Sequence, residues 1–171
     1  MRVIHPIHAE ELEQVVRLVN SAYRGDSSRA GWTTEADLLD GQRTDAETLR
    51  AELREGAILG MREDSELMGC VYLSNPQDGQ CYLGMLTIHP QHQAGGLGRA
   101  LLQRAEELAR HQGARSVCMT VLHMRKSLLA WYERRGYKST GETKPFPYGD
   151  ERFGLPRRPD LHFLVLKKDL Y

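Results

Sequence analysis

The chain has 171 residues, which is enough for one domain with a substantial core and too short for two ordinary domains. Lys plus Arg and Asp plus Glu both number 23, so no overall field favours nucleic acid or an anionic membrane. No apolar run approaches the ~20 residues that span a bilayer, and the start of the chain lacks the apolar stretch of a signal peptide. We expect a cytoplasmic protein, a single domain over residues 1–171, that binds neither nucleic acid nor a membrane.

Hydrophobic periodicity predicts alternating strands and helices. The predicted strands lie at 2–4, 57–61, 67–73, 81–88, 116–122, 137–140 and 161–166. The predicted helices lie at 10–23, 35–39, 45–54, 98–112 and 126–135, with Thr34 and Thr44 as candidate caps of the second and third. Short links between the three strands from 57 to 88 predict an antiparallel meander, whereas the strand, helix, strand unit from 81 to 122 predicts a parallel pair.

Cysteine and histidine spacing gives no sign of a disulfide or a metal. Cys70, Cys81 and Cys118 occur singly in strand-like segments, as small buried hydrophobic residues do. His89 and His92 are three residues apart, with no nearby Cys or carboxylate to complete a ligand set. The sequence therefore predicts no metal site.

A glycine turn between a strand and a helix carries most of the chemical information. The apolar strand stops before Pro90, and Gly95, Gly96 and Gly98 lead directly into the helix over 98–112. A helix start leaves about four backbone N–H groups without intrahelical partners, and the helix dipole adds roughly half a positive charge there. The pattern predicts a phosphate site, with a simple tight turn as the alternative. Neither the dinucleotide fingerprint nor the nucleotide triphosphate loop fits the spacing.

Two motifs in this order resemble the GCN5-related N-acetyltransferases, the GNAT superfamily. Gln93-x-x-Gly96-x-Gly98, after Ile88-x-Pro90, is similar to the coenzyme A pyrophosphate motif of that family. The segment Leu129 to Tyr137, an aromatic-rich helix closed by glycine and tyrosine, is similar to its second signature. The resemblance implies an α/β domain with a mixed, twisted sheet of six or seven strands and helices on both faces.

The resemblance also implies acetyl-CoA as co-substrate. Two neighbouring parallel strands of the family splay apart around the pantetheine arm, which takes backbone hydrogen bonds from the first of them. The family often has a basic residue at the position of Gly95, so Arg99 is a candidate substitute. Arg125 stands where the family has asparagine, and its cofactor contacts stay open. The implied cofactor-binding residues are Leu86, Ile88, Gln93, Ala94, Gly95, Gly96, Leu97, Gly98, Arg99 and Arg125.

Tyr132 is the candidate catalytic acid by its position in the second signature. A phenol, with a pKa of about 10, stays protonated near neutrality and can donate to a departing thiolate whose own pKa is ~8.5. Pattern alone favours a core role, because Tyr132 shares a helical stripe with Leu128 and Arg135. Nucleophilic catalysis by Cys118 is disfavoured, since no partner base is evident.

The acceptor implied by the resemblance is a primary amine, and the residue that deprotonates it stays open. Glu35 is the first candidate base, and Asp150 and Glu151 are others. For each of them a solvated or helix-capping carboxylate is the alternative, and water-mediated deprotonation is another. The predicted acceptor pocket, for which a well-packed connection is the alternative, consists of Trp32, Phe146, Tyr148 and Asp150.

We therefore predict an N-acetyltransferase that moves acetyl from acetyl-CoA to a small-molecule amine by direct attack. One alternative is a protein N-terminal or lysine acetyltransferase. The other, from a different class, is an acyl-CoA sensor without turnover. Homodimerisation stays open.

Overall fold

The computed structural model describes residues 1–31 and 34–171. Its helices are α1 (Leu12–Tyr23), α2 (Gly25–Ser28), α3 (Ala46–Glu55), α4 (Leu97–His111) and α5 (Lys126–Glu133). Its strands are β1 (Arg2–Pro6), β2 (Leu39–Asp40), β3 (Gly56–Glu63), β4 (Glu66–Ser74), β5 (Gln80–Ile88), β6 (Ser116–Leu122), β7 (Lys138–Pro145), β8 (Leu155–Pro156) and β9 (His162–Asp169). Over the described ranges, no helix has the length and apolarity to cross a membrane.

Seven strands of the described chain form one sheet in the order β1-β3-β4-β5-β6-β9-β7. Only β5 and β6 pair in parallel, and the other neighbours are antiparallel. The predicted meander corresponds to β3, β4 and β5, and the predicted parallel unit to β5, α4 and β6. These pairings confirm the predicted mixed sheet of six or seven strands, which here has seven. The short strands β2 and β8 form a separate antiparallel pair.

Hydrophobic cores cover both faces of the sheet. Along β4, Val71 and Leu73 belong to a core that includes Leu101 of α4, whereas Cys70 and Tyr72 belong to a core that includes residues of α1 and α3. Alternate residues of a strand point to opposite faces, so α4 lies on one side and α1 and α3 on the other. The predicted helical layers are therefore confirmed.

The region between α2 and α3 differs from its prediction. Residues 35–39 form a turn that enters β2, where Leu39 pairs with Pro156 and is buried. This long-range pairing outweighs the weak helical preference of a five-residue segment. The cap of α3 is Asp45, whose carboxylate accepts from the Thr48 N–H at 2.8 Å. Thr44 is buried instead.

One polar residue of α4 is also buried, although the helical pattern places it towards water. Glu106 accepts a hydrogen bond from the Tyr137 hydroxyl at 2.8 Å and pairs with the Lys168 ammonium at 2.9 Å. Both partners come from parts of the chain after β6, so the helical pattern carried no signal of them. These two contacts of Glu106 connect α4 to the C-terminal part of the chain.

Candidate active site

Strands β5 and β6 separate to form a fork, which we define as the gap between them beyond their last paired residues. Their ladder covers only Gln80 to Tyr82, opposite Ser116 to Cys118. Beyond it, β5 stays paired with β4, and β6 stays paired with β9 to its end. The hydroxyls of Tyr82 and Thr120 lie 3.2 Å apart across the start of the fork. A gap between two strands that each keep another partner can admit a ligand without dismantling the sheet.

A bulge bends β5 inside the fork. The register with β4 shifts between Cys70 and Tyr72, and Met85 has a φ of 58°. Positive φ is strained for a residue with a Cβ, so surrounding contacts must hold it. The Met85 carbonyl accepts from the Thr87 hydroxyl at 2.8 Å, which fixes the bulge from within the strand.

Inside the fork, side chains donate hydrogen bonds to carbonyl groups of β5 that β6 does not reach. The Tyr23 hydroxyl donates to the Leu86 carbonyl at 2.8 Å, and the Gln93 amide donates to the Ile88 carbonyl at 3.1 Å. A carbonyl oxygen has two lone pairs, so each can still accept from a ligand. Leu86 and Ile88, predicted to contact the cofactor, therefore lie in the fork.

A cavity of about 330 Å³ lies between the end of β5, the start of α4 and helix α5; we call it the fork cavity. Its lining is Ala22, Tyr23, Leu86, Thr87, Ile88, Gln93, Gly96, Gly98, Arg99, Arg125, Leu128, Trp131, Tyr132 and Arg135. Most of the predicted cofactor residues are thus brought together. Leu97 is buried in the core beside the cavity, and Gly95 is exposed outside its lining. Ala94 lies in the 3₁₀ turn Pro90–Gly95.

The glycine turn has the geometry that the sequence predicts. Gly96 has a φ of 77°, in the left-handed region that favours glycine, and α4 begins at the next residue. No side chain in the described ranges caps this helix start. A Cβ at Gly96 would meet no described atom within 4 Å, so the space before the helix is open. An anion could occupy that space and accept from the backbone.

Arg135 adds positive charge at the same cavity, and sequence reasoning missed it. Its guanidinium lies 4.3 Å from the centre of the Trp131 ring, and its buried Nε atom has no hydrogen-bond partner among the described residues. Burial lowers the pKa of Arg135, and repulsion from Arg134 and Arg99 lowers it further. Crowded guanidinium groups favour binding of an anion. The only signal for Arg135 in the sequence is the helical stripe that it shares with Tyr132, and such a stripe by itself indicates the core.

Tyr132 belongs both to the core and to the fork cavity. Its side chain is 5% exposed and packs edge-on against Trp131 and Tyr137. Its hydroxyl has no hydrogen bond to any residue that the structure describes. Burial, and then the neighbouring Tyr23, hold the pKa of Tyr132 well above its usual value. The phenol is therefore protonated and faces a space where a ligand can accept its hydrogen bond.

Glu35 is held by two arginines. It forms a buried ion pair with Arg24, and its second oxygen lies 3.0 Å from a guanidinium nitrogen of Arg125. Burial alone would raise the pKa of Glu35, but the charges of Arg125 and Arg24 outweigh it and lower the pKa. A carboxylate so engaged is a poor proton acceptor. The geometry favours a positioning role for Glu35, since Arg125 precedes α5, which carries Tyr132.

The residues predicted for the acceptor pocket do not meet at the fork cavity. Phe146 is buried in a cluster with Leu39 and Leu122. The Tyr148 hydroxyl donates to the Arg158 carbonyl at 2.6 Å, and Asp150 forms an ion pair with Arg152. These contacts fit the alternative of a well-packed connection. Trp32 lies outside the described residues.

The cysteines offer no nucleophile at the fork. All three are free thiols; Cys70 and Cys81 are buried, and burial raises the pKa of the half-buried Cys118. Among residues 1–31 and 34–171, no three His, Cys, Asp or Glu side chains are grouped closely enough to hold a metal ion.

Comparison with known families decides the assignment. The model of the acetyltransferase (GNAT) family matches residues 12–137. The chain belongs to the GNAT family. No curated protein sequence matches this GNAT protein at a significant level.

Solved structures share its fold at low sequence identity. The ribosomal-protein-S18-alanine N-acetyltransferase of Escherichia coli superposes with a TM-score of 0.73 and 13% identity, covering 99% of this chain and 94% of its own. An N-acetyltransferase from Staphylococcus aureus Mu50 gives 0.72 and 15%, covering 100% and 99%. YncA of Salmonella typhimurium, solved with its cofactor acetyl-CoA, gives 0.69 and 18%, covering 99% and 94%. The predicted family and fold are therefore confirmed.

Proposed function

We propose that this GNAT protein transfers the acetyl group of acetyl-CoA to a primary amine of a small molecule by direct attack. Acetyl-CoA is its acyl donor, in keeping with its family and with the cofactor of YncA. One observation carries the proposal: a single cavity is lined by a glycine turn at a helix start, by three arginines, of which Arg125 is paired with Glu35, and by a protonated phenol. The turn and arginines fit the pyrophosphate, and the phenol fits the thioester.

The reaction begins with a neutral amine. An alkylammonium with a pKa of about 10.4 is only ~0.04% neutral at pH 7, so it must first lose a proton. The nitrogen then attacks the thioester carbonyl, forming the C–N bond and a tetrahedral oxyanion that the backbone N–H groups near Ile88 stabilise. As the nitrogen loses its second proton to water, cleavage of the C–S bond releases a thiolate, which takes the proton of Tyr132; the phenol regains a proton from solvent. The net products are the amide, coenzyme A and one proton.

We infer that water removes the proton of the amine. No Asp, Glu or His occurs among the described residues that line the fork cavity. Glu35 is already held by Arg24 and Arg125, and Asp150 by Arg152. A solvent-connected chain of water needs no dedicated carboxylate. On this basis kcat/KM rises with pH towards the pKa of the amine itself.

A thiol-release assay tests the proposed reaction. Acetyl-CoA is supplied with amino acids, polyamines, aminoglycosides or peptides, and free coenzyme A is measured. Selective turnover of one small-amine class supports the proposal. Turnover confined to peptides favours a protein acetyltransferase. Binding of coenzyme A without turnover of any amine in the panel favours the sensor.

Replacement of Arg135 by glutamine should weaken acetyl-CoA binding by about 10- to 100-fold, because a charge-assisted contact to phosphate is lost. Calorimetry with acetyl-CoA measures this. Arg134→Gln is the matched control: it removes the same charge from the exposed neighbouring residue, outside the cavity lining. Equal affinities for the two variants would contradict the assignment of Arg135 to the pyrophosphate.

A further inference from the structure

A second cavity, of about 690 Å³, opens beside the ladder that joins β5 to β6; we call it the acidic cavity. It lies on the face covered by α1 and α3, since Tyr72 belongs to the core of that face. Three carboxylates and two phenols contribute to its lining: Glu52, Glu55, Asp78, Tyr72 and Tyr82. No Lys, Arg or His occurs among its described lining residues.

Two polar groups in the acidic cavity lack partners. Tyr72 is 6% exposed, yet its hydroxyl makes no hydrogen bond to any described residue. One carboxylate oxygen of Glu52 is buried and also has no hydrogen-bond partner within the described ranges. An unsatisfied buried carboxylate oxygen costs free energy, so the Glu52 oxygen indicates a missing partner, and the Tyr72 hydroxyl offers a second contact to it.

The charges around the acidic cavity favour a cation as this partner. Within residues 1–31 and 34–171, Glu52, Glu55 and Asp78 form no ion pair. Burial raises the pKa of Glu52, and the charge of Arg43 opposes this shift. Burial, followed by the charges of Glu52 and Glu55, raises the pKa of Tyr72 to about 12. The cavity therefore concentrates negative charge that its own lining does not neutralise.

The acidic cavity adjoins the fork through Tyr82. This residue lines the acidic cavity, and its hydroxyl lies 3.2 Å from that of Thr120 at the start of the fork. Burial is the main cause of the raised Tyr132 pKa, and Tyr82 is close enough to add to it. An extended molecule in the acidic cavity could thus reach the thioester end of the fork cavity.

We propose that the acidic cavity holds a second ammonium group of the acceptor, so that the preferred substrate is a diamine or polyamine rather than a monoamine. An ammonium has three donors, which match two carboxylates and the Tyr72 hydroxyl. The cavity volume falls within the ordinary range of small-ligand sites. The inference rests on the proposed acetyl transfer, because that reaction makes the bound cation an acceptor.

The test compares 1-aminopentane with 1,5-diaminopentane and spermidine in the thiol-release assay. We expect the kcat/KM of the diamine and of spermidine to exceed that of the monoamine by at least about tenfold. The double variant Glu52→Gln, Glu55→Gln should reduce this ratio to about threefold or less. Glu66→Gln removes one exposed carboxylate at the β3–β4 turn and should preserve the ratio. Tyr72→Phe, which deletes only a hydroxyl, should lower the ratio part of the way.

Two results would overturn the inference. One is a wild-type protein that acetylates amines without preferring the diamine. The other is a preference that persists in the folded double variant, or, if the double variant does not fold, a preference that is undiminished in Tyr72→Phe. If no amine is acetylated, the proposed function fails separately. Calorimetry with spermidine then tests whether the acidic cavity binds a cation. Binding to wild type that is lost in the double variant supports a cation site, and no binding to wild type refutes it.

Discussion

Replacement of Tyr132 by phenylalanine should lower kcat by about 100-fold or more, the usual contribution of a general acid. The substitution keeps the ring that packs against Trp131 and Tyr137 and removes only the hydroxyl that faces the fork cavity. Acetyl-CoA affinity and folding stability should change little, because that hydroxyl bonds to no described residue. Steady-state kinetics and a thermal melt separate these effects.

The pH dependence of this loss is a sharper test than its size. The pKa of Tyr132 lies well above its usual value, so the phenol stays protonated throughout an assay from pH 6 to 9. The ratio of wild-type to variant kcat should therefore be constant over that range. Tyr148→Phe removes a phenol outside the fork cavity and serves as control. An unchanged kcat in Tyr132→Phe, or a ratio that titrates near neutrality, would refute the acid role.

Replacement of Glu35 by glutamine should destabilise the protein by about 3–5 kcal/mol, the usual cost of breaking a buried ion pair from one side. The variant leaves the guanidinium groups of Arg24 and Arg125 without their shared counter-charge. Urea denaturation at pH 7 measures the free energy of unfolding. Asp37→Asn breaks an exposed pair with Arg29 and should have little effect.

The destabilisation should disappear in acid. The folded pKa of Glu35 is lowered, so its ionised form stabilises the protein above the unfolded pKa of about 4.3, and this is lost as pH falls through the folded pKa. The stabilities of wild type and Glu35→Gln should begin to converge as pH falls below about 4.3 and become equal only below the folded pKa of Glu35. Kinetics distinguish positioning from base catalysis. If Glu35 were the base, the loss of kcat in Glu35→Gln would shrink as pH approaches the pKa of the amine. If Glu35 positions Arg125, Glu35→Gln lowers kcat by the same factor at every pH.

The parts of the site predicted from sequence are those encoded locally. The left-handed φ of Gly96, the proline stop before it and the helix start after it lie within a few residues. Each has a residue type that suits its backbone, so the turn could be predicted directly. The meander of β3, β4 and β5 and the parallel pairing of β5 with β6 followed from link lengths. Tyr132 needed the second signature, because its helical stripe does not distinguish a core phenol from one that lines a cavity.

The parts that sequence reasoning misplaced depend on distant contacts. Glu35 and Arg125 are 90 positions apart, and no local pattern shows that they pair. Phe146 looked suited to an acceptor pocket by composition, but its burial beside Leu39 is decided by the β2–β8 pairing. The acidic cavity likewise combines the end of α3 with the β4–β5 turn. Such sites become visible only when the sheet brings separate segments together.

The fork also has a consequence for solubility. Beyond Tyr82, β5 and β6 do not pair with each other, and only the Leu86 and Ile88 carbonyls of the described β5 edge accept from the side chains of Tyr23 and Gln93. Strand edges without a partner strand are templates for adding a foreign strand. An extended amide-bearing molecule seated there would act as a surrogate strand and shield both edges. We expect the ligand-free protein to aggregate faster on mild heating than the protein saturated with coenzyme A. The difference in aggregation rate should exceed what the increase in the free energy of unfolding on ligand binding accounts for.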